Sequence, residues 1–242
     1  MNEEDFFNFD LNLEETPTCR VIMFHGGRGT GKTVTTASLC KRTIFISSDG
    51  NAKKQGFRAI DFELLPNVNN WSPAERMWRS MARILNYLLK NRDKFDAIAF
   101  DLIEYYDNTM QSLYTGIENS SIGRLNIQDW GEIKSFYDNL NYYLNQYFDD
   151  KVIFFLSRQV EEETTDKSFK KQTKLTSALR KKLSNILDAS VSLSLTIDKD
   201  HTLEFEDSYR FKGTPINPLE ADVLNKIKKI MIEQGTLDET EQ

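Results

Sequence analysis

A glycine-rich segment near the amino terminus has the composition and spacing of a phosphate-binding loop. Residues 26–33 read GGRGTGKT and fit the pattern G-x-x-x-x-G-K-[ST]. Glycines let the backbone turn several N–H groups toward one phosphate, and a following helix adds the positive end of its dipole. In this pattern Lys32 contacts the β- and γ-phosphates, and the hydroxyl of Thr33 binds Mg²⁺. The sequence therefore predicts a site for ATP and Mg²⁺.

The predicted nucleotide contacts run through this loop and into the start of the next helix. They are Gly26, Gly27, Arg28, Gly29, Thr30, Gly31, Lys32, Thr33 and Val34. The alternative is a glycine-rich surface turn. The phosphate-binding interpretation is favoured because the apolar run 21–24 precedes the loop and the helix-like run 34–40 follows it.

Two carboxylates follow apolar runs and are candidates for chemistry at the γ-phosphate. Asp101 ends the run 97–100, where a strand would leave the sheet, and is predicted to hold the water shell of Mg²⁺. Leu102 follows it, so a second acid is missing at the position where many P-loop ATPases activate a water. Asp49 follows the apolar run 43–47 and is the candidate general base. A turn formed by Asp49 and Gly50 is the alternative.

Strand-like runs alternate with helix-like runs along the chain. The strand-like runs are 21–24, 43–47, 97–101, 152–157 and 190–197. Apolar residues recur at helical spacing within 77–88 and 133–144, and 218–233 predicts a closing amphipathic helix. This alternation predicts an α/β fold with a mostly parallel central sheet and helices on both faces. The alternating segment 202–206 predicts a C-terminal edge hairpin.

The chain is predicted to form one nucleotide-binding domain, residues 18–234, between loosely ordered terminal segments at 1–17 and 235–242. With 242 residues and 39% hydrophobic content, the chain can bury a substantial core. We expect a cytoplasmic protein with no membrane partner, because no apolar run approaches ~20 residues and the acidic amino terminus does not resemble a signal peptide. The two cysteines show no metal-ligand spacing. A net charge of −6 argues against a surface that is basic throughout.

A segment of reversed charge follows the strand-like run 152–157. Residues 167–182 contain six lysines and one arginine but no acid. We predict that Lys167, Lys170, Lys171 and Lys174 contact phosphates, and Phe169 adds an aromatic surface for stacking. The alternative is a solvated basic face, which is the favoured interpretation for 180–182.

Taken in order, these motifs resemble those of RecA-type ATPases. In that family the catalytic acid ends the strand after the phosphate-loop helix, where this chain has FISSD with Asp49 in place of the usual glutamate. A later strand ends in polar residues that sense the γ-phosphate, and here these are Ser157 and Arg158. Arg158 departs from the family pattern, and pairing with the acids at 161–163 is its alternative role. A mobile DNA-binding loop follows in the family and corresponds to 159–174 here. The resemblance therefore implies that Lys167, Lys170, Lys171 and Lys174 contact DNA and that Phe169 stacks on one of its bases.

A second family feature is a Lys-x-Arg-Phe-Gly-like segment that reaches the ATP of a neighbouring subunit. Arg210 matches its arginine, whereas Ser208 stands in place of its lysine. The resemblance implies a catalytic role for Arg210 across a subunit boundary. A basic hairpin end is the alternative.

The overall likeness is to bacteriophage RecA-like nucleotide-binding proteins, and it covers residues 18–234. It includes the helix around Trp130, which resembles the one these proteins place before the sensor strand. The likeness implies an ATPase that acts on single-stranded DNA in phage recombination or replication. It also implies a homo-oligomeric ring or filament, a phage single-strand-binding or annealing protein as partner, and the host cytoplasm as location. From the residues alone, a small-molecule or nucleoside kinase and a nucleotide-gated assembly factor with little turnover also stay open.

Overall fold

Most strands of the protein are buried apolar runs, and the strands pair into one sheet. The computed structural model describes residues 21–67, 70–116, 125–165, 171–177, 191–205 and 217–237. The strands are β1 Val21–Gly26, β2 Thr43–Ser47, β3 Ala59–Asp61, β4 Ala97–Asp101, β5 Val152–Thr165, β6 Lys171–Ser177, β7 Val191–Ile197 and β8 Leu203–Phe205. Their order is β3-β2-β4-β5-β1-β7-β8, with β6 paired to β5. The pairs from β3 to β7 are parallel, whereas β7–β8 and β5–β6 are antiparallel.

Helices connect the parallel strands, and α3, α5 and α6, whose ranges follow, begin at side-chain caps. They are α1 Lys32–Leu39, α2 Asn51–Lys54, α3 Pro73–Leu89, α4 Glu104–Thr115, α5 Ile127–Tyr147 and α6 Pro218–Glu233, with a 3₁₀ turn at Arg92–Lys94. The Ser72 side chain accepts the N–H of Glu75 at the start of α3, and Asn217 caps α6 in the same way. Asn126 and Asp129 form a reciprocal capping box on α5.

The two faces of the sheet bury separate apolar clusters. On β4, Ile98 and Phe100 belong to the cluster covered by α3, α4 and α5. Ala97 and Ala99 alternate with them and belong to the opposite cluster, which is covered by α1 and α6. The predicted fold class is therefore confirmed: the molecule is α/β with a mostly parallel sheet, helices on both faces and an edge hairpin, β7–β8, as in P-loop NTPases.

The strand that follows α5 is longer than the sequence predicts. β5 extends through residue 165 and pairs with β6, with Gln159 opposite Ser177 and Glu162 opposite Lys174. The prediction of a mobile loop over 159–174 is therefore wrong for the described residues 159–165 and 171–174. A physical reason is that the threonine-rich segments favour extended backbone, and the register sets an acidic position opposite a basic one. We call β6 and residues 159–165 of β5 the ribbon.

Within the described ranges, no helix combines the length and apolar composition required to cross a bilayer.

Candidate nucleotide-binding site

Parallel pairing brings the carboxyl ends of β1, β2, β4 and β5 to one edge of the sheet. Ser47 lies beside Asp101, and Gly26 lies beside Arg158. A cleft of about 530 Å³ opens at this edge. It is lined by Arg28, Gly29, Gly31, Lys32, Thr33, Val34, Asp49, Asn51, Gln55, Asp101, Leu102, Arg158 and His201. This position is the usual one for ligands in open α/β sheets.

The loop between β1 and α1 has a backbone that requires glycine. Gly29 and Gly31 have φ of +82° and +86°, in the left-handed region. At Gly26 a Cβ would lie 2.3 Å from the carbonyl oxygen of Ile197, so β7 leaves no room for a side chain. Gly31 is the N-cap of α1, so the loop delivers its backbone to the positive end of that helix.

The Lys32 ammonium is enclosed by the loop. Nζ donates to the carbonyl oxygens of Gly26 at 2.8 Å and Gly27 at 2.9 Å. Burial lowers the pKa of Lys32, and the negative charges of Asp101 and Glu104 oppose this shift. The sequence prediction for Lys32 is therefore consistent with its position, because the cation lies at the amino end of α1 beside the cleft.

Thr33 and Asp101 are brought together from distant parts of the chain. The Thr33 hydroxyl donates to Oδ2 of Asp101 at 3.1 Å. Asp101 is buried, and burial followed by the charge of Asp49 raises its pKa to about 6, with Thr33 and Lys32 acting in the opposite direction. A hydroxyl oxygen and a carboxylate beside a phosphate site fit Mg²⁺, which binds through one or two such ligands together with phosphates and water.

Asp49 lies at the cleft and also supports the turn into α2. Its Oδ1 accepts the backbone N–H of Asn51 at 3.0 Å, and its Oδ2 accepts the Asn51 side-chain amide. The Ser47 hydroxyl is 3.4 Å from Oδ1. Gly50 follows with φ of +69° and caps α2. The two interpretations of Asp49, as a carboxylate for chemistry and as a turn residue, are thus both compatible with its contacts.

Ser157 and Arg158, the predicted γ-phosphate sensors, occupy different environments. Ser157 is fully buried and donates to the carbonyl oxygen of Arg158 at 3.1 Å, and it is not part of the cleft lining. The Arg158 side chain is 63% exposed and lines the cleft. Of the two, Arg158 is therefore the residue placed to meet a bound phosphate.

Glu104 is an acid of this site that the sequence analysis missed. It is buried at the start of α4, and its Oε1 accepts the backbone N–H of Arg158 at 3.1 Å. The Arg158 Nε is 4.0 Å from the same oxygen. Burial raises the pKa of Glu104, while the hydrogen bonds and the Arg158 charge lower it. In sequence, Glu104 cannot be told from the acids that ordinarily begin helices.

Glu104 contacts Arg158 without lining the cleft, whereas three residues that do line it were also missed: Asn51, Gln55 and His201. His201 lies in the β7–β8 turn, and its Nδ1 is 2.9 Å from the carbonyl oxygen of Thr30. No local pattern could have revealed this contact, because 171 positions separate the two residues in sequence.

The predicted DNA-binding residues and Arg210 fall largely outside the described residues. This applies to Lys167, Phe169, Lys170 and Arg210. Lys171 and Lys174 lie on β6, opposite Thr165 and Glu162 respectively. Because strand positions alternate between faces, 171 and 174 lie on opposite faces of the ribbon. These assignments stay predictions.

Comparison with known proteins identifies the family of this chain. Residues 19–216 match the family described as an AAA domain. The comparison with curated protein sequences finds no significant match. Among solved structures, the chain is similar to a prototypical ATPase from the type III secretion system of pathogenic bacteria, with a TM-score of 0.41 and 10% identity. The alignment covers 76% of this chain and 53% of that one, so this chain spans about half of the other's length. Since the family match extends over most of its residues, the chain belongs to the AAA domain family, as a P-loop ATPase domain.

Proposed function

We propose that the protein binds and hydrolyses ATP with Mg²⁺ and acts on single-stranded DNA in phage recombination or replication. The observation that carries the ATP-dependent part is the 3.1 Å contact between Thr33 and Asp101 beside the buried Lys32. A hydroxyl, a carboxylate and an ammonium at one helix amino end are the groups that triphosphate and Mg²⁺ require.

Five side chains at the cleft have a definable role in this proposal. Lys32 and the amino end of α1 bind phosphate oxygens, and Thr33 with Asp101 hold the metal, which would neutralise charge on the β- and γ-phosphates. Asp49 orients the attacking water and accepts its proton. The Arg158 guanidinium stabilises charge that develops on the transferred phosphoryl group.

The DNA part of the proposal rests on the position of the ribbon and on the basic residues of the segment 167–174. β5 passes the cleft at Arg158 and continues directly into the ribbon, whose β6 begins at Lys171. Positions 167 and 170 precede Lys171 in sequence, and the register places Lys174 opposite an acid. Phosphate contacts are therefore expected mainly from the basic residues at 167–171, within the segment that corresponds to the DNA-binding loop of RecA-type proteins.

We further propose a homo-oligomer in which Arg210 of one subunit completes the ATP site of the next. The support is the resemblance of the segment around Arg210 to one that serves this purpose in RecA-type ATPases. A phage single-strand-binding or annealing protein is the partner that the same resemblance implies.

A nucleotide-gated assembly factor with little turnover is the second candidate. The observation that favours it is the engagement of both Asp49 carboxylate oxygens by Asn51. The orientation of a carboxylate held in this way is set by the turn into α2, and not by an attacking water.

ATP hydrolysis measured with and without single-stranded DNA tests the proposal. We expect hydrolysis that DNA stimulates, and ATP binding that falls more than tenfold in Lys32→Ala, since that change removes the cation facing the β- and γ-phosphates. Lys41→Ala, an exposed lysine beyond α1, is the matched control. Binding without turnover under all conditions would favour the assembly factor, and phosphoryl transfer to a small molecule would favour a kinase. Equal binding of a fluorescent ATP analogue by Lys32→Ala and the parent would refute the nucleotide site itself.

A further inference from the structure

The turn between β7 and β8 contacts the phosphate-binding loop through one side chain. Nδ1 of His201 lies 2.9 Å from the carbonyl oxygen of Thr30. Because a carbonyl oxygen can only accept, Nδ1 carries the hydrogen in this contact. The imidazole also occupies the space beside Gly31, where an added Cβ would lie 2.4 Å from Nδ1. His201 therefore touches two consecutive residues of the loop.

This turn is held in place by its own hydrogen bonds. Oδ1 of Asp198 accepts the backbone N–H groups of Asp200 at 2.8 Å and Thr202 at 2.9 Å. The N–H of His201 donates to the Asp198 carbonyl oxygen at 3.2 Å. His201 itself has φ of +62°, a conformation that the surrounding turn must impose on a non-glycine residue.

The same turn is anchored to the end of α6. The Gln234 side chain donates to the His201 carbonyl oxygen at 3.0 Å and accepts the N–H of Leu203 at 2.9 Å. Along the same helix, Nζ of Lys226 donates to the Leu39 carbonyl oxygen at 3.0 Å, at the end of α1. α6 is thus connected to the phosphate-binding loop through His201 and to the end of α1 through Lys226.

We propose that His201 is a positioning residue that fixes the phosphate-binding loop for nucleotide binding. The carbonyl oxygen of Thr30 and the N–H of Gly31 belong to one planar peptide group and point in opposite directions. Holding the oxygen against His201 therefore fixes the direction of the Gly31 N–H. The inference rests on the proposed function, in which the backbone N–H groups of this loop bind phosphate.

Such a contact matters because the loop is rich in glycine. Gly29 and Gly31 have positive φ, and glycine loses more conformational freedom on ordering than any other residue. A loop that is already ordered before binding avoids that cost when the nucleotide arrives. The contact acts on the part of the loop used by both ATP and ADP, so its loss weakens the binding of both.

Three substitutions of His201 separate this hydrogen bond from other effects. Asparagine tolerates positive φ and carries an amide N–H close to the position of Nδ1. Glutamine extends its amide to the position of Nε2, away from Thr30, and alanine has no donor. Lys199→Ala, in the same turn and exposed, is the control.

The experiment is titration of the purified protein with fluorescent ATP and ADP analogues, with melting temperatures recorded without nucleotide. We expect His201→Ala and His201→Gln to weaken both ligands by about three- to tenfold, the range for a neutral hydrogen bond. His201→Asn is expected to bind within about twofold of the parent, and Lys199→Ala to bind like the parent.

Two results would overturn the inference while leaving the proposed function intact. One is parental affinity in His201→Ala, and the other is an affinity of His201→Asn as low as that of His201→Gln. Should His201→Ala fail to fold, the comparison of the asparagine and glutamine variants at matched melting temperatures decides the question. A parent protein that binds neither analogue would overturn the proposed function and the role of His201 together.

Discussion

Asp101 combines a functional carboxylate with an unfavourable environment for its charge. Burial and the charge of Asp49 raise its pKa to about 6. A carboxyl group with a raised pKa binds its proton more readily in the folded state, so this group makes the folding stability fall as pH rises from its ordinary pKa to about 6. The carboxylate that we propose as a Mg²⁺ ligand is therefore kept at the expense of stability, as is common at functional sites.

We predict opposite effects of Asp101→Asn on stability and on binding. Without nucleotide, the variant should melt at a higher temperature than the parent at pH 7.5, because it removes a buried charge. The difference should shrink as pH falls through about 6, where Asp101 becomes protonated. Mg²⁺-dependent ATP binding should weaken in the variant. Thermal melting and nucleotide titration across this pH range check both effects, and an unchanged Mg²⁺ dependence would count against the metal role.

The two proposed roles of Asp49 differ in what Asp49→Asn should do. An asparagine side chain can still accept the N–H of Asn51, so the turn into α2 is retained. It cannot act as a base, so we expect normal ATP binding and loss of hydrolysis. Measuring steady-state ATP hydrolysis together with the binding of a fluorescent ATP analogue distinguishes the two roles. If Asp49→Asn hydrolyses ATP at the parental rate, Asp49 is only a turn residue.

At the scale of elements, the ribbon is the feature that the DNA proposal depends on. Changing Lys167, Lys170, Lys171 and Lys174 to alanine should weaken single-stranded DNA binding similarly for all sequences. Up to four phosphate contacts predict a log–log salt slope of at most roughly −2 to −3, which this variant should flatten. Phe169→Ala should cost about 1–3 kcal/mol with little change in slope, because stacking releases no counterions.

The basic residues at 180–182 provide the matched control for this experiment, since they are predicted to be a solvated face. Their replacement by alanine should change DNA affinity less than the four-lysine variant does. Fluorescence anisotropy at several salt concentrations with ATP present measures both. Parental affinity in the four-lysine variant at matched salt would remove the main physical support for DNA binding.

The sequence predicts elements well where one local signal determines them. Thr43–Ser47 and Ala97–Asp101 agree with the predicted strands because each is a continuous apolar run that ends in polar residues. α6 is predicted from its amphipathic pattern, and its bounds agree with the predicted 218–233. β3 and α2 are missed because each is very short. The ribbon is missed because pairing across a chain reversal leaves no periodic apolar pattern.

At the scale of the whole molecule, the proposal of an ATP site shared between subunits depends on Arg210. We predict that Arg210→Ala retains ATP binding and loses turnover, because the arginine would act on the nucleotide of a neighbour. Mixing it with Lys32→Ala subunits, which bind ATP poorly, should restore part of the activity. Hydrolysis assays of the mixture, with light scattering to measure mass, test this. A fully active monomer in the presence of ATP and DNA would contradict it.

The candidate site was predictable from sequence only where it is local. The loop at 26–33 and Asp101 follow from a spacing motif and from a strand ending in an acid. Glu104 and His201 become part of the site through tertiary contacts with Arg158 and Thr30. Such contacts depend on strand order and hairpin position, which single-sequence patterns do not encode.

β5 belongs to two environments along a single stretch of backbone, and this has a consequence for local opening. From 153 to 156 it lies between β4 and β1, and 157 and 158 pair with β1. From 159 to 165 its described partner is β6. Amide hydrogen exchange depends on how readily each segment opens. We expect slow exchange before Arg158 and faster exchange after it, so that one strand contains two exchange classes. Hydrogen exchange, measured by mass spectrometry on peptides that cover 152–165, would report separately how nucleotide and DNA protect the two segments. Uniform exchange along the strand would mean that the core and the ribbon open as one cooperative unit.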